Sequence, residues 1–441
     1  MPNLLPPAGP QRTLALAQLS NSVGDGAYYV TSALYFTHVV GLPPTRIGLG
    51  LTVAWAVGSV VGVPLGRVAD RRGPRGTAVL LALATGAAVA SFLAVRDFLP
   101  FLAAACLYAT AQSGLAAARQ ALLAGLVAKE ERTGALAHLQ STLNAGLAVG
   151  AGLGGVALSV GTRSAYLAVF AIDALSFLLC ALVLLRLPAV APVHVARGAK
   201  LEVLRDRPYA VVTLLNTVLL LRMPLLSLGL PLWITERTDA PEWLVSALFI
   251  LNTGAVVLFQ VRTARSVTGL GTAARAVRRS GVLMLLTCAT FAVSAGTPPW
   301  VAITALVGGS VLLVAAEMLQ SAGAWQLGFD LAPAGRIGEY QGFFGAGVTI
   351  ARSAGPLLLT ALLMGSGAAG WLLLGGLFRE MSCALDPATR WAARRASLRP
   401  PQAPPRGPRE PRVACTDRRG GRAAERKAGP ACWAAAGARA P

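Results

Sequence analysis

Eleven stretches of about 20 apolar residues, almost free of charge, succeed one another along this chain. Each is long enough to cross the ~30 Å hydrocarbon core of a bilayer. They run approximately Thr13–Val40, Ile47–Leu65, Thr77–Val95, Phe98–Val127, Leu139–Val160, Ala165–Leu185, Ala210–Ile234, Trp243–Val261, Gly281–Ala295, Trp300–Ala322 and Phe343–Met364. A twelfth begins near Ala368. In lipid the backbone must satisfy its own hydrogen bonds, so runs of this kind are read as helices. The expected fold class is an all-α membrane protein. Only 13% of the 441 residues are charged, against about a quarter in a soluble protein.

A net charge of +20 in a soluble chain points to nucleic acid. Here its distribution argues otherwise. Residues 379–441 hold 14 of the 39 basic and 5 of the 19 acidic side chains, and most of the remaining excess lies in alternate loops. With the N-terminus inside, the inner loops carry 17 Lys and Arg and the outer loops 4. That bias places the inner loops and both termini in the cytoplasm. The longest inner connection, 187–209, divides the chain into an N-terminal half, 1–186, and a C-terminal half, 210–378, followed by a basic tail, 379–441.

The loop after the second span reads Gly66-Arg-Val-Ala-Asp70-Arg71-Arg72-Gly73-Pro74-Arg75. The positive-inside bias explains the arginines, but not an aspartate with a glycine four residues before and three after. The pattern Gly-x-x-x-Asp-Arg-x-Gly-x-Arg resembles the loop 2–3 signature of the major facilitator superfamily of secondary transporters. Pro74 is a small departure from it. The resemblance implies two pseudo-symmetric six-helix bundles around a central site that opens alternately to either side. It also implies a cytoplasmic gate built from Gly66, Asp70, Arg71, Gly73 and Arg75. Gly66 lets a neighbouring helix approach. Asp70 can face a helix N-terminus, where the dipole favours an anion. Gly73 allows the turn, and Arg71 and Arg75 can pair with carboxylates across the gate.

The fifth span contains Gly146-Leu-Ala-Val-Gly150-Ala-Gly-Leu-Gly154-Gly155. It resembles the Gly-x-x-x-Gly-Pro-x-x-Gly-Gly motif of proton-coupled drug exporters, with Ala151 in place of proline. Small residues four apart let helix backbones touch. The segment from Asn144 aligns without gaps on the segment from Gly345 in span eleven. Ala145/Ala346, Gly146/Gly347 and Gly154/Gly355 are identical, as an internal repeat of six helices requires. The loop after span eight, 262–280, keeps positive charge but lacks the Gly-x-x-x-Asp of the first copy.

Six charged residues fall inside spans: Asp25, Arg119, Asp173, Arg222, Glu317 and Arg352. Such groups are costly in lipid and face a cavity or one another. Asp25, flanked by Gly24 and Gly26, is the first candidate for a proton- or cation-binding group, with Arg119 as a partner. Burial and a nearby guanidinium act in opposite directions on a carboxylate, so such a pair is suited to proton exchange. Glu317 is the second candidate carboxylate. Structural ion pairing is the competing role for all of these, Asp173 and Arg222 included. Tyr28, Tyr29 and Trp55 are candidate cavity aromatics.

The twelfth run is apolar over Ala368–Phe378 and then meets Arg379, Glu380 and Asp386. A charge at the bilayer centre costs about 2.5–3.5 kcal/mol on insertion scales, so the twelfth helix is expected to be truncated or disturbed. From Pro400 onward the chain is Arg, Pro, Ala and Gly without periodicity and reads as disordered. It resembles the translation of a GC-rich, actinobacterial-type reading frame. It is either frameshifted sequence or a basic tail that binds anionic lipid.

The three histidines are scattered, and no CxxC or Cys/His cluster appears, so neither metal nor cofactor is implied. The absence of a Gly-x-x-x-x-Gly-Lys loop argues against ATP-driven transport. Nothing points to an enzyme or a nucleic-acid binder. The expected function is proton-driven export of a small amphipathic molecule across the cell membrane, by a monomer. An uptake symporter for a metabolite and a non-transporting paralogue are the alternatives.

Overall fold

Each apolar run forms helix, and among the described residues all regular structure is helical. The computed structural model describes residues 6–192 and 201–397. The first half comprises α1 (Pro10–Leu34), α2 (Pro44–Arg72), α3 (Pro74–Ser91), α4 (Phe98–Leu126), α5 (Arg132–Val160) and α6 (Arg163–Leu185). The second comprises α7 (Arg207–Leu219), α8 (Leu230–Arg237), α9 (Trp243–Ala264), α10 (Leu270–Val293), α11 (Pro299–Asp330) and α12 (Ile337–Ser397). α7 and α8 form one span, joined through 3-10 and π turns at Leu220–Arg222 and Leu225–Gly229. Pro224 and Pro231, which lack an N–H, lie at these irregular turns.

Ten segments are long and apolar enough to cross a membrane by length and composition. Two features reconcile this with twelve expected spans. α1 is too polar on one side (Gln18, Asn21, Ser22, Asp25) to count by composition. The last segment, Ile337–Ala396, is two spans. It breaks at Gly367, whose φ of 57° and ψ of −133° lie outside helix and favour glycine. The second limb folds back, so that Gly370 lies against Leu362 and Leu363.

Sequence set the end of the apolar complement at Phe378, but the helix continues through Arg379 and Glu380 to Ser397. Its buried positions explain why. Trp371, Leu374, Phe378, Ser382, Leu385, Ala388 and Ala392 recur every three or four residues, which is one helical face. The charges occupy other faces, and Asp386 pairs with Arg390 one turn on, at 2.5 Å. Hydropathy averages over both faces and therefore ends the span too early. The rest of the tail, 398–441, and residues 193–200 of the central connection lie outside the described residues.

The helix pairings repeat. α1 packs on α5, α2 on α4, and α3 on α4 and α6. In the second half α7 packs on the first limb of α12, α9 on α11, and α10 on α11 and on the second limb. The aligned glycines take equivalent places. Gly146 abuts Ser22 on α1 and Gly347 abuts Thr217 on α7; Gly154 abuts Ala27 and Gly355 abuts Pro224. Each half has its own core. Phe36, Phe92, Phe101 and Phe170 meet in the first. Trp233, Phe291 and Trp371 meet in the second. Val60, Leu80, Leu175 and Ile250 are more than 60% exposed, an outer surface unsuited to water but suited to lipid.

Candidate substrate cavity and gate

The basic loop 2–3 lies at one end of the bundle, and there the two halves are joined. Gly62 and Gly66 on α2 meet Gly342 and Gly338 on α12. A Cβ at Gly66 would lie 2.6 Å from the Gly338 carbonyl carbon, and one at Gly342 would lie 2.9 Å from the Gly62 oxygen. This close approach brings Asp70 over the start of α12. Its carboxylate accepts hydrogen bonds from the backbone N–H groups of Gly338 (2.8 Å) and Glu339 (2.9 Å). These are two of the orphan donors of a helix N-terminus, where the dipole also favours an anion.

Other contacts close the same end. Lys129 pairs with Asp330 at 3.3 Å, and Thr133 hydrogen-bonds Gln326. Gly73 ends α2 with a φ of 99°. Arg75 donates to the Leu187 carbonyl at 2.7 Å, so its hydrogen bond ties loop 2–3 to the central connection rather than to a carboxylate. Arg71 is exposed. Sequence reasoning placed Asp70 at a helix N-terminus but did not identify the donor as the α12 start, and it missed Lys129–Asp330. The signal was present as acidic Asp330 and Glu339 flanking Arg336 in an otherwise basic set of loops.

Away from this end the halves part. Gly345 follows Gly338 and Gly342 along α12 and has nothing within 4 Å of where a Cβ would stand. Between the halves lies a cavity of about 430 Å³, walled by α1, α2, α4 and α5 on one side and by α7, α11 and α12 on the other. That is ample for a small organic molecule.

Asp25 faces this cavity and is 5% exposed. Its Oδ2 accepts from Asn21 Nδ2 (3.1 Å), and its Oδ1 lies 3.4 Å from both the Tyr108 hydroxyl and Gln112 Nε2. Arg119 also faces the cavity. It donates to Gln18 Oε1 and, at 3.2 Å, to Asn21 Oδ1. Asp25 and Arg119 therefore communicate through Asn21, which donates to one and accepts from the other. Sequence inspection named the two ions but not the amide between them, since a neutral Asn in an apolar helix carries no charge signal.

Asp173 is elsewhere. It is fully buried on α6, against Gly24 on the side of α1 away from the cavity, and its Oδ2 has no hydrogen-bond partner among the described residues. Arg222 and Glu317 form an ion pair at 3.0 Å within the second half. Arg222 also donates to Gln320 (3.0 Å) and Ser321 (2.9 Å), which line the cavity. The charge order is inverted between the halves. The first span of one half carries the acid and its fourth the arginine, whereas the first span of the other carries the arginine. Tyr29 and Trp55 line the cavity, but Tyr28 packs among Phe92, Tyr108 and Phe170. Of the span-five glycines, Gly146, Gly150 and Gly154 press on α1, whereas Gly155 has nothing within 4 Å.

Two repeated helical halves, joined at one end around a central polar cavity in a lipid-suited surface, define a multi-pass membrane protein of the secondary-transporter class. The model of the Major Facilitator Superfamily matches residues 14–356, and the chain belongs to that family. Its members are transporters and not enzymes. Among solved structures, the chain is similar to the human organic anion transporter MFSD10 (TETRAN), with a TM-score of 0.68 at 17% identity over 86% of this chain and 100% of that one. It is likewise similar to a bacterial homologue of the iron transporter ferroportin in an outward-facing state (0.68, 14%, 87% and 99%). The E. coli fucose:proton symporter FucP is a third (0.62, 13%, 87% and 98%). At these identities the likeness is one of fold. A comparison with curated proteins found no match.

Proposed function

We propose that this protein exports small amphipathic molecules in exchange for protons, by alternating access, in the manner of drug-efflux facilitators. The observation that carries the reading is a polar cavity with a nearly buried carboxylate, Asp25, between halves whose Asp70–Gly338, Lys129–Asp330 and Thr133–Gln326 junctions lie at the basic end. The positive-inside bias puts the latched, basic end in the cytoplasm and both termini with it. The conformation described is then closed to the cytoplasm. The protein works as a monomer in the cell membrane.

Asn21 supplies a route for coupling. While Asp25 is ionised, Asn21 is held by it and presents its oxygen to Arg119. A proton arriving on Asp25 Oδ2 turns the strong anionic acceptor of Asn21 Nδ2 into a weak neutral one. Asn21 is then free to turn, and Arg119 loses a partner. Rocking of the halves requires the Asp70 contacts with α12 to break and re-form in each cycle. The integral packing of the second α12 limb, with Trp371, Phe378 and Leu385 buried, favours a working transporter over a non-transporting paralogue.

The test is accumulation of a dye panel in a host lacking its own exporters, with and without a proton uncoupler. Export predicts lowered accumulation that the uncoupler restores. Accumulation equal to that of the empty host, with the protein verified in the membrane, rejects the reading. Raised accumulation favours uptake.

A further inference from the structure

We infer that the occupant of the cavity is an amphipathic organic anion whose charged group, a carboxylate or sulfonate, is held by Arg352. This deepens the transport reading and rests on the same cavity. Among the described residues three charged side chains line it: Asp25, Arg119 and Arg352. They sum to one positive charge, and they differ in what they have free.

Asp25 is engaged, because its two oxygens receive Asn21, Tyr108 and Gln112. A cationic ligand would have to displace these donors and enter against a net positive field. Arg119 is tied to Gln18 and Asn21. Arg352 is exposed, faces the cavity and makes no hydrogen bond or ion pair with any described residue. Its planar guanidinium offers five donors in a fork that matches a carboxylate or sulfonate. Charged groups on membrane-spanning helices face a cavity or a partner of opposite charge, and an anionic ligand supplies that partner.

The rest of the wall suits the body of such a ligand. Tyr29, Trp55 and Trp325 present aromatic faces to the cavity, and Tyr29 lies within the electrostatic reach of Arg352. Gln341, Gly345, Val348 and Arg352 form one face of α12. Gln341 is buried, with its Nε2 against Gly328 outside the cavity, so Arg352 is the donor that this face offers a ligand.

The experiment uses the full chain in phosphatidylcholine nanodiscs and two dyes with one xanthene core, anionic fluorescein and cationic rhodamine 6G. Binding is read by polarisation against empty discs. Fluorescein is expected to bind about tenfold more tightly than rhodamine 6G, the scale of one charge-assisted contact. Arg352→Gln should erase that preference and Arg352→Lys should keep part of it. Arg352 makes no hydrogen bond or ion pair with any described residue, so both variants should melt like the parent. The inference is overturned if rhodamine 6G binds as tightly as fluorescein, if neither dye binds, or if Arg352→Gln retains the parent's affinity for fluorescein. Loss of fluorescein binding in discs containing phosphatidylglycerol also overturns it, by assigning Arg352 to a lipid headgroup. Uncoupler-sensitive export of rhodamine 6G without fluorescein binding rejects the anion and leaves transport standing. Fluorescein binding without any export does the reverse.

Discussion

Gly66 of α2 and Gly338 of α12 meet backbone to backbone, so the two halves of the protein approach as closely at the basic end as helices can. A Cβ on either would enter the carbonyl of the other, and both partners are backbone. Gly66→Ala is therefore expected to open that end. Overpacking of this kind costs about 1–3 kcal/mol, enough to shift a two-state population by roughly 5–150-fold. Labelling of a cysteine placed at Ser321, on the cavity wall, should become faster from the basic side. Unchanged labelling would show that the contact does not limit opening.

The carboxylate of Asp70 sits on the same junction. Asp70→Asn keeps the size of the side chain but removes the anion from the α12 terminus, an interaction of about 0.3–1 kcal/mol, up to ~2 when partly buried. Transport should fall several-fold with the amount of inserted protein unchanged. Wild-type flux in this variant would remove Asp70 from the gate.

Asp25→Asn keeps the size of the side chain and one acceptor oxygen, for Asn21 or for Tyr108 and Gln112, and leaves nothing to titrate. Flux driven by a pH gradient should be lost, while exchange of substrate down its own gradient survives. A pH-dependent flux that persists would make Asp25 structural.

The four glycines of span five are not equivalent. A Cβ at Gly150 would lie 2.9 Å from the Ala27 nitrogen and the Gly26 Cα, whereas one at Gly155 meets open space. Gly150→Ala should lower Tm by several degrees, and Gly155→Ala should leave it unmoved. Equal effects at the two positions would refute the packing described for α1 and α5.

Ending the chain after Phe378 removes Leu385, Ala388 and Ala392. The first packs in the core of the second half, and the others pack near Tyr209 and Tyr340. Thermal melts should show that chain to be less stable than one ending at Ser397. Identical melts would mean that the charged end of α12 contributes nothing to the fold.

The helical class, the spans and the two halves were legible in the sequence because lipid imposes them on each segment separately. Any crossing segment must be apolar and long, whatever it packs against. The loop 2–3 signature was legible for a related reason, as short-range spacing carries it. What each intramembrane residue faces was not legible. Helices in lipid are apolar on nearly every side, so periodicity does not announce the face that a neighbour covers. Only the tertiary structure put Asp173 behind α1, placed Asn21 between Asp25 and Arg119, and left Gly155 idle. It alone brought Asp70 to a helix that starts more than 260 residues later in the chain, and left Arg352 in the cavity without a partner among the described residues. Those relations come from the packing of one span on another, which no single segment encodes.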